Sequence, residues 1–231
     1  ENKNKEELIA VLSTHNISHE NDFEVLVYNS PYKLFNRRNE VVVSVNLNNK
    51  VNHMSLKNEK LYVGGGCFWC VEAVFQDVIG VEKVVSGYSG GLIKNPTYEQ
   101  VSSGRTKHAE VCEITYNPAA IELEQLLKIF FASHDPTTIN KQGNDVGEHY
   151  RSIVFFSDSN QKKVVDNVIK ELNVSVFDHK IVTQVQEFDV FYMAETYHQD
   201  YYENNKYVPY CSYVISPKID KLKKELSQFY K

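Results

Sequence analysis

Three consecutive glycines, Gly64, Gly65 and Gly66, separate a short apolar run at 60–63 from a run with apolar residues at helical spacing, Phe68, Val71, Val74 and Phe75. Few local structures accommodate such a triplet. Glycine weakens helix and strand interiors and serves where the backbone turns tightly or another group must approach it closely. The run before the triplet reads as a strand and 67–78 as a helix, so the glycines predict a strand-to-helix turn with Cys67 at the helix start. Unpaired N–H groups at a helix start stabilise an anion, and a thiolate placed there is expected to form more readily than at a free cysteine. No Lys followed by Ser or Thr completes a phosphate-loop pattern, so the turn does not read as a phosphate cradle.

Downstream, strand patterns at 81–88, 108–116, 150–156 and 181–188 intermingle with helix patterns at 67–78, 96–102, 118–131, 158–172, 194–205 and 217–229, and 135–147 reads as loop. The order lacks a strict βαβ rhythm, which predicts an α/β (α+β) mixed-sheet sandwich rather than a doubly wound sheet. Residues 1–58 differ in composition: they hold twelve Asn and no Gly. A short helix at 6–12, strands at 23–28 and 41–47, and a polar linker at 50–60 are expected there. The domain reading is an N-terminal extension or accessory unit, 1–58, ahead of the main α/β domain, 59–231.

Composition narrows the classes of function. Hydrophobic residues make up 42% of 231, enough for a sizeable core. Twenty-five basic against thirty acidic residues leave a net charge of −5, which gives no reason to expect nucleic acid or an anionic membrane surface as partner. No run of 18 apolar residues reads as a membrane span. Four cysteines are too few for a secreted disulfide scaffold, so the expected setting is a reducing one, the cytoplasm, or an organelle had a leader been removed.

Cys67 and Cys70 form a C-x-x-C, a spacing that serves thiol–disulfide exchange or half a zinc site. Zinc needs two further ligands at paired spacing. Cys112 and Cys211 stand alone, and His108 and His198 form no such pair, so no metal is expected. A general thiol–disulfide oxidoreductase using the Cys67–Cys70 pair is the competing reading. The intervening Phe68-Trp69 is large and apolar, which suits a substrate pocket better than a docking disulfide.

Gly66-Cys67-Phe68-Trp69 followed by Val71-Glu72 resembles the signature of the peptide methionine sulfoxide reductase A family. Further stretches match in order: Gly87-Tyr88-Ser89-Gly90-Gly91, Asn95-Pro96-Thr97-Tyr98, His108-Ala109-Glu110, His134-Asp135-Pro136-Thr137, Gln142-Gly143-Asn144-Asp145-Val146-Gly147 with Tyr150-Arg151-Ser152, then Ala194-Glu195 and His198-Gln199. The resemblance spans roughly 60–220. It implies a two-layer sandwich with a ferredoxin-like core, and reduction of the S-epimer of methionine sulfoxide, free or in oxidised proteins. It implies Cys67 as nucleophile, Glu110 as proton donor, Tyr98 and Tyr150 as phenols binding the sulfoxide oxygen, Asp145 as a polar neighbour of the pocket, and Phe68 and Trp69 as the wall receiving the methyl group. The expected product on Cys67 is a sulfenic acid, resolved by a second thiol into a disulfide that thioredoxin reduces. Thioredoxin is the expected partner and external reductant, no bound cofactor is expected, and the chain is expected to act as a monomer.

The sequence departs from one common pattern of that family. Many members carry Gly where this chain has Cys70, and place resolving cysteines in a glycine-rich tail. Here the tail reads Pro209-Tyr210-Cys211-Ser212-Tyr213-Val214-Ile215, with one cysteine and no glycine. Cys70 is the resolving thiol favoured by proximity, and Cys211 is the candidate for a second resolving or recycling step. Cys112, in mid-strand, reads as core.

Overall fold

The computed structural model describes residues 58–231 and, as backbone, two strands further upstream. The chain divides into two compact units, Glu1–Ser55 and Leu56–Lys231. In the first, β1 (His19–Val27) pairs antiparallel with β2 (Asn39–Val45), Val27 opposite Asn39 and Phe23 opposite Val43. These are the strands expected at 23–28 and 41–47. The helix expected at 6–12 and the linker up to residue 57 lie outside the described residues.

The second unit is built on β3 (Glu59–Gly64), β4 (Val81–Ser89), β5 (Ala109–Tyr116), β8 (Ile153–Phe156), β9 (Gln184–Glu187) and β10 (Phe191–Met193), hydrogen-bonded in the order β10-β4-β5-β3-β8-β9. All neighbours are antiparallel except β8 and β9, which run parallel, so the sheet is mixed as expected. Between strands come α1 (Phe68–Gln76), α2 (Tyr98–Ser102), α3 (Leu123–Ser133), a two-residue ladder of β6 (Lys141–Gln142) with β7 (Asp145–Val146), and α4 (Ser159–Ser175); α5 (Tyr201–Asn204) and α6 (Ser216–Glu225) follow.

Side chains alternate across a strand, and here both faces are covered. Leu61, Val63, Cys112, Ile114 and Val154 face the large core that includes Phe75, Leu126, Leu127, Phe130 and Val165 of the helices. Tyr62, Ala109, Val111, Ile153 and Phe155 form a smaller cluster on the opposite face, where the Phe188 ring stacks on Tyr62 at 3.9 Å. The parity of β5 decides the chemistry. Glu110 is in phase with Cys112 and Ile114, so its carboxyl points to the helix face rather than to solvent.

Several boundaries differ from the pattern. The helix expected from Pro118 starts at Leu123, because Asn117 closes a turn onto Ala119 and Glu122 begins the helix through a reciprocal capping box with Gln125. The loop at 135–147 contains the β6–β7 ladder, the strand expected from 150 begins at Ile153 after a 3₁₀ turn at Glu148–Tyr150, and that expected at 181–188 shortens to β9. The helix expected at 194–205 is broken into a 3₁₀ turn, Thr196–His198, and α5, with Asp200 between them at φ +51°. The final helix is entered through a π-helical turn, Cys211–Ile215, and ends at Glu225 rather than continuing to Phe229. The short edge strand β10 has no expected counterpart.

Candidate active site

The glycine triplet does what its composition demands. Gly66 sits at φ +95°, a conformation that side chains strain to adopt. A Cβ on Gly64 would lie 2.5 Å from the Glu110 carbonyl, so the close pairing of β3 with β5 requires glycine there. The chain then delivers Cys67 as the N-cap of α1, with Cys70 one turn on.

Glu110, 2% exposed, lies against this helix start, and its Oε2 accepts the Phe68 N–H at 2.9 Å. That bond satisfies one of the free amides of the first turn. Burial pushes the Glu110 carboxyl up to about 8, against the pull of the Phe68 N–H and with help from the Asp145 and Cys70 charges. It is therefore protonated at neutral pH, as a proton donor must be.

Cys67 departs from expectation. It is 8% exposed, and burial pushes its thiol well above the ordinary value, as do Cys70 and Glu110; the Trp69 N–H pulls the other way without prevailing. The desolvation of a buried anion outweighs the helix start. Cys70, 4% exposed, moves oppositely: the hydrogen bond from Cys67 draws it down to about 7, burial opposes, and Lys218 and Tyr210 assist. The two thiols thus share one easily lost proton, with the negative charge resting on Cys70.

Two phenols face this centre. Tyr98 opens α2, which forms because Thr97 and Gln100 cap each other reciprocally, and its N–H is held by Glu195 at 2.9 Å. Tyr150 closes the 3₁₀ turn at Glu148–Tyr150, its ring 4.0 Å from that of His149. Burial raises both phenols, Tyr98 to about 12, and the charges of Glu110 and Cys67 act in the same direction. Both therefore stay protonated and can donate.

The apolar wall is clamped from behind. Trp69 stacks on Tyr201 at 3.6 Å with 6° between planes, and its indole N–H donates to His198 Nδ1 at 3.1 Å. His198 thus has the structural hydrogen bond that a helix histidine commonly carries. Glu72, buried on α1, accepts the Tyr201 N–H at 3.2 Å and so fixes the turn that supports the stack. Phe68 is fully buried beside Tyr88 and His198.

On the other side of the thiols lies a cleft of about 390 Å³ whose walls include Cys67, Cys70, Asp145, Tyr210, Val214 and Lys218. The β6–β7 hairpin carries Asp145 to its rim, where Asp145 accepts the Tyr210 hydroxyl at 2.9 Å. The same phenol oxygen lies 3.6 Å from Cys70 Sγ. Sequence reasoning missed Tyr210; with 15 tyrosines in the chain, the only local signal was its place beside Cys211. Cys211 itself is fully buried in the core, behind the cleft wall rather than in it. Cys112 is core, its Sγ against the Phe68 carbonyl at 3.5 Å. Among the described residues no three His, Cys, Asp or Glu side chains come together as a metal site.

Comparison with known proteins gives a consistent result. The family profile described as peptide methionine sulfoxide reductase matches residues 59–230. The peptide methionine sulfoxide reductase MsrA of Trichodesmium erythraeum is 51% identical over 167 residues, 72% of this chain and 94% of the relative. That of Saccharolobus solfataricus is 51% identical over 162 residues, 70% of this chain and 91% of the relative. Among solved structures, Mxr1 of Saccharomyces cerevisiae in reduced form superposes with a TM-score of 0.61 at 32% identity, covering 65% of this chain and 87% of that one. Methionine sulfoxide reductase A of Corynebacterium diphtheriae gives 0.61 at 31% identity, covering 64% and 75%. With about half of all positions shared over nearly the whole length of its relatives, and every residue of the thiol centre inside the matched span, this chain belongs to the peptide methionine sulfoxide reductase family.

Proposed function

We propose that the chain reduces the S-epimer of methionine sulfoxide, free or within oxidised proteins, with Cys67 as nucleophile and Glu110 as acid. The observation that carries this is the buried, protonated carboxyl hydrogen-bonded to the amide next to Cys67, with two protonated phenols facing both. A general thiol–disulfide exchanger has no oxygen to expel and no use for that carboxyl. Cys67 attacks the sulfoxide sulfur, Tyr98 and Tyr150 hold the oxygen, and Glu110 protonates it as the sulfur–oxygen bond breaks. Phe68 and Trp69 receive the methyl group, and Asp145 orders the rim through Tyr210. In sum, the Cys67 thiol and the sulfoxide become a sulfenic acid and methionine. Cys70 then forms the disulfide and water is released. An external dithiol, thioredoxin, reduces that disulfide, and the cycle needs no prosthetic group.

The order β3, α1, β4, β5, α3, β8 with strands arranged β8-β3-β5-β4 supports reading the core as ferredoxin-like. Residues 1–58 are read as an accessory unit. The site draws on one chain, which favours action as a monomer, and its thiols suit a reducing compartment such as the cytoplasm. Assayed with dithiothreitol on defined sulfoxides, the full chain and a chain beginning at Lys57 are expected to reduce the S-epimer at equal rates and leave the R-epimer. Reduction of the R-epimer alone would refute the function proposed, and a folded but inactive shortened chain would refute the domain reading.

Cys70→Ser is expected to release one methionine per enzyme and then stop when thioredoxin is the reductant, because thioredoxin acts on a disulfide. Cys211→Ser should turn over nearly as the parent does, since burial keeps that thiol from the cleft. Peptide mass mapping of oxidised protein should show Cys67 joined to Cys70. Normal thioredoxin-driven turnover in Cys70→Ser would move the resolving role to Cys211.

A further inference from the structure

The helical segment that walls the cleft has two faces. Tyr210, Val214 and Lys218, each four residues apart, line the cavity, while Cys211, Ile215, Ile219 and Leu222 are buried in the core. The spacing follows from the π-helical turn running directly into α6, so that one continuous helix presents a phenol, a valine and an ammonium to the two sulfurs. Several lysines of this unit sit on carboxylates: Lys223, on the same helix, holds Asp77 at 2.7 Å, and Lys128 and Lys162 hold theirs at 2.8 and 2.6 Å. Among the described residues Lys218 has no such ion pair, and it is turned to the cleft instead.

The groups facing Cys70 from all surrounding elements are Cys67 at the helix start, Glu110 and Cys112 on β5, Asp145 on β7, Tyr210 and Cys211 on the π-helical turn, and Lys218 on α6. Lys218 is the one cation among them. In the reduced protein its influence on Cys70 is secondary to that of the neighbouring Cys67 thiol. Once Cys67 has taken the substrate oxygen, that thiol no longer exists. The ammonium is then the foremost remaining group that favours a charged Cys70, and this is the moment when Cys70 must act as a nucleophile.

We propose that Lys218 is a positioning residue for the second half of the cycle, its ammonium holding Cys70 as the thiolate that closes onto the Cys67 sulfenic acid. The proposal rests on the reading of Cys70 as the resolving thiol. In that step the Cys70 sulfur bonds to the Cys67 sulfur and the sulfur–oxygen bond of the sulfenic acid breaks. Hydroxide departs and combines with the proton that Cys70 gave up on ionising, leaving as water. The Cys70 sulfur is oxidised and the sulfenic sulfur reduced, so the step needs no external oxidant. A thiol in place of the thiolate would be a far weaker nucleophile.

The test mixes reduced full-length protein with one equivalent of methionine S-sulfoxide, without reductant, between pH 6 and 9. Methionine release, dimedone-trapped sulfenic acid and the Cys67–Cys70 disulfide are followed in parallel for the parent, Lys218→Met and Lys218→Arg. Loss of the half-buried charge is expected to move the pH midpoint of disulfide closure up by about one unit, which is about a tenfold slower closure at pH 7. Sulfenic acid should accumulate in Lys218→Met, closure should slow more than methionine release does, and the defect should fade at pH 9. Lys218→Arg should restore the parental pH profile. Parental closure and an unmoved midpoint in Lys218→Met would overturn the proposal, as would an equal defect in Lys218→Arg at every pH. If the parent releases methionine but forms no Cys67–Cys70 disulfide, the resolving role of Cys70 fails and the proposal with it. If it releases no methionine, the function itself is wrong.

Discussion

Cys67→Ser is expected to lower sulfoxide reduction to the background of the reductant alone. A serine hydroxyl is ionised at no accessible pH and is a poor nucleophile towards sulfur, and no other thiol can replace Cys67. Cys70 lies one turn along α1, Cys112 is sealed in the core against the Phe68 carbonyl, and Cys211 is buried behind the cleft wall. The substitution exchanges sulfur for a smaller oxygen at the N-cap position of α1, where serine is a favoured residue, so the fold should persist. Circular dichroism should match the parent while methionine release, read by chromatography, is absent even in a single turnover. Single-turnover release at the parental rate would transfer the nucleophilic role to another residue.

Glu110→Gln is expected to slow the first half of the cycle by about 10²–10⁴-fold, the range for removal of a general acid. The amide oxygen can still accept the Phe68 N–H, so the helix start keeps its partner and the loss is one of chemistry. Activity before disulfide closure should follow the protonated form of Glu110: present at neutral pH and falling as pH rises through about 8, where the buried carboxyl ionises. The Gln variant has no such proton to lose, so that alkaline fall should vanish from its profile. A variant within a few-fold of the parent, or one that retains the fall near pH 8, would show that another group supplies the proton.

Much of this site was legible because it is local. Cys67, Phe68, Trp69 and Cys70 lie in one turn after a glycine triplet, and the apolar spacing of Phe68, Val71, Val74 and Phe75 marks the helix that carries them. Glu110 was legible only through the family resemblance: its strand could be read from alternation, but not that both faces of β5 are covered, which is what raises its pKa. The behaviour of Cys67 was misjudged because a helix start can be read from spacing, whereas desolvation depends on what packs above it. Tyr210 and Lys218 were out of reach for the same reason, since they meet Cys70 from 140 or more positions away, on a segment packed against the same core. The break at Asp200 has a similar origin. A carboxylate on α1, Glu72, takes the Tyr201 amide, and no local pattern near 200 records that.

The burial of Cys67 bears on what the protein can survive. Hydrogen peroxide attacks thiolates it can reach, and a peroxide-sensing or peroxide-scavenging cysteine is exposed and acidic for that reason. Here the nucleophile rests as a thiol, only 8% exposed, in the wall of the cleft. A sulfoxide that seats against Glu110 brings both the oxygen and the surroundings in which that sulfur reacts; a passing peroxide brings neither. Burial and a retained proton therefore slow the direct oxidation of Cys67 by peroxide, the first step of the climb to an irreversible sulfinic acid, while the pocket is empty.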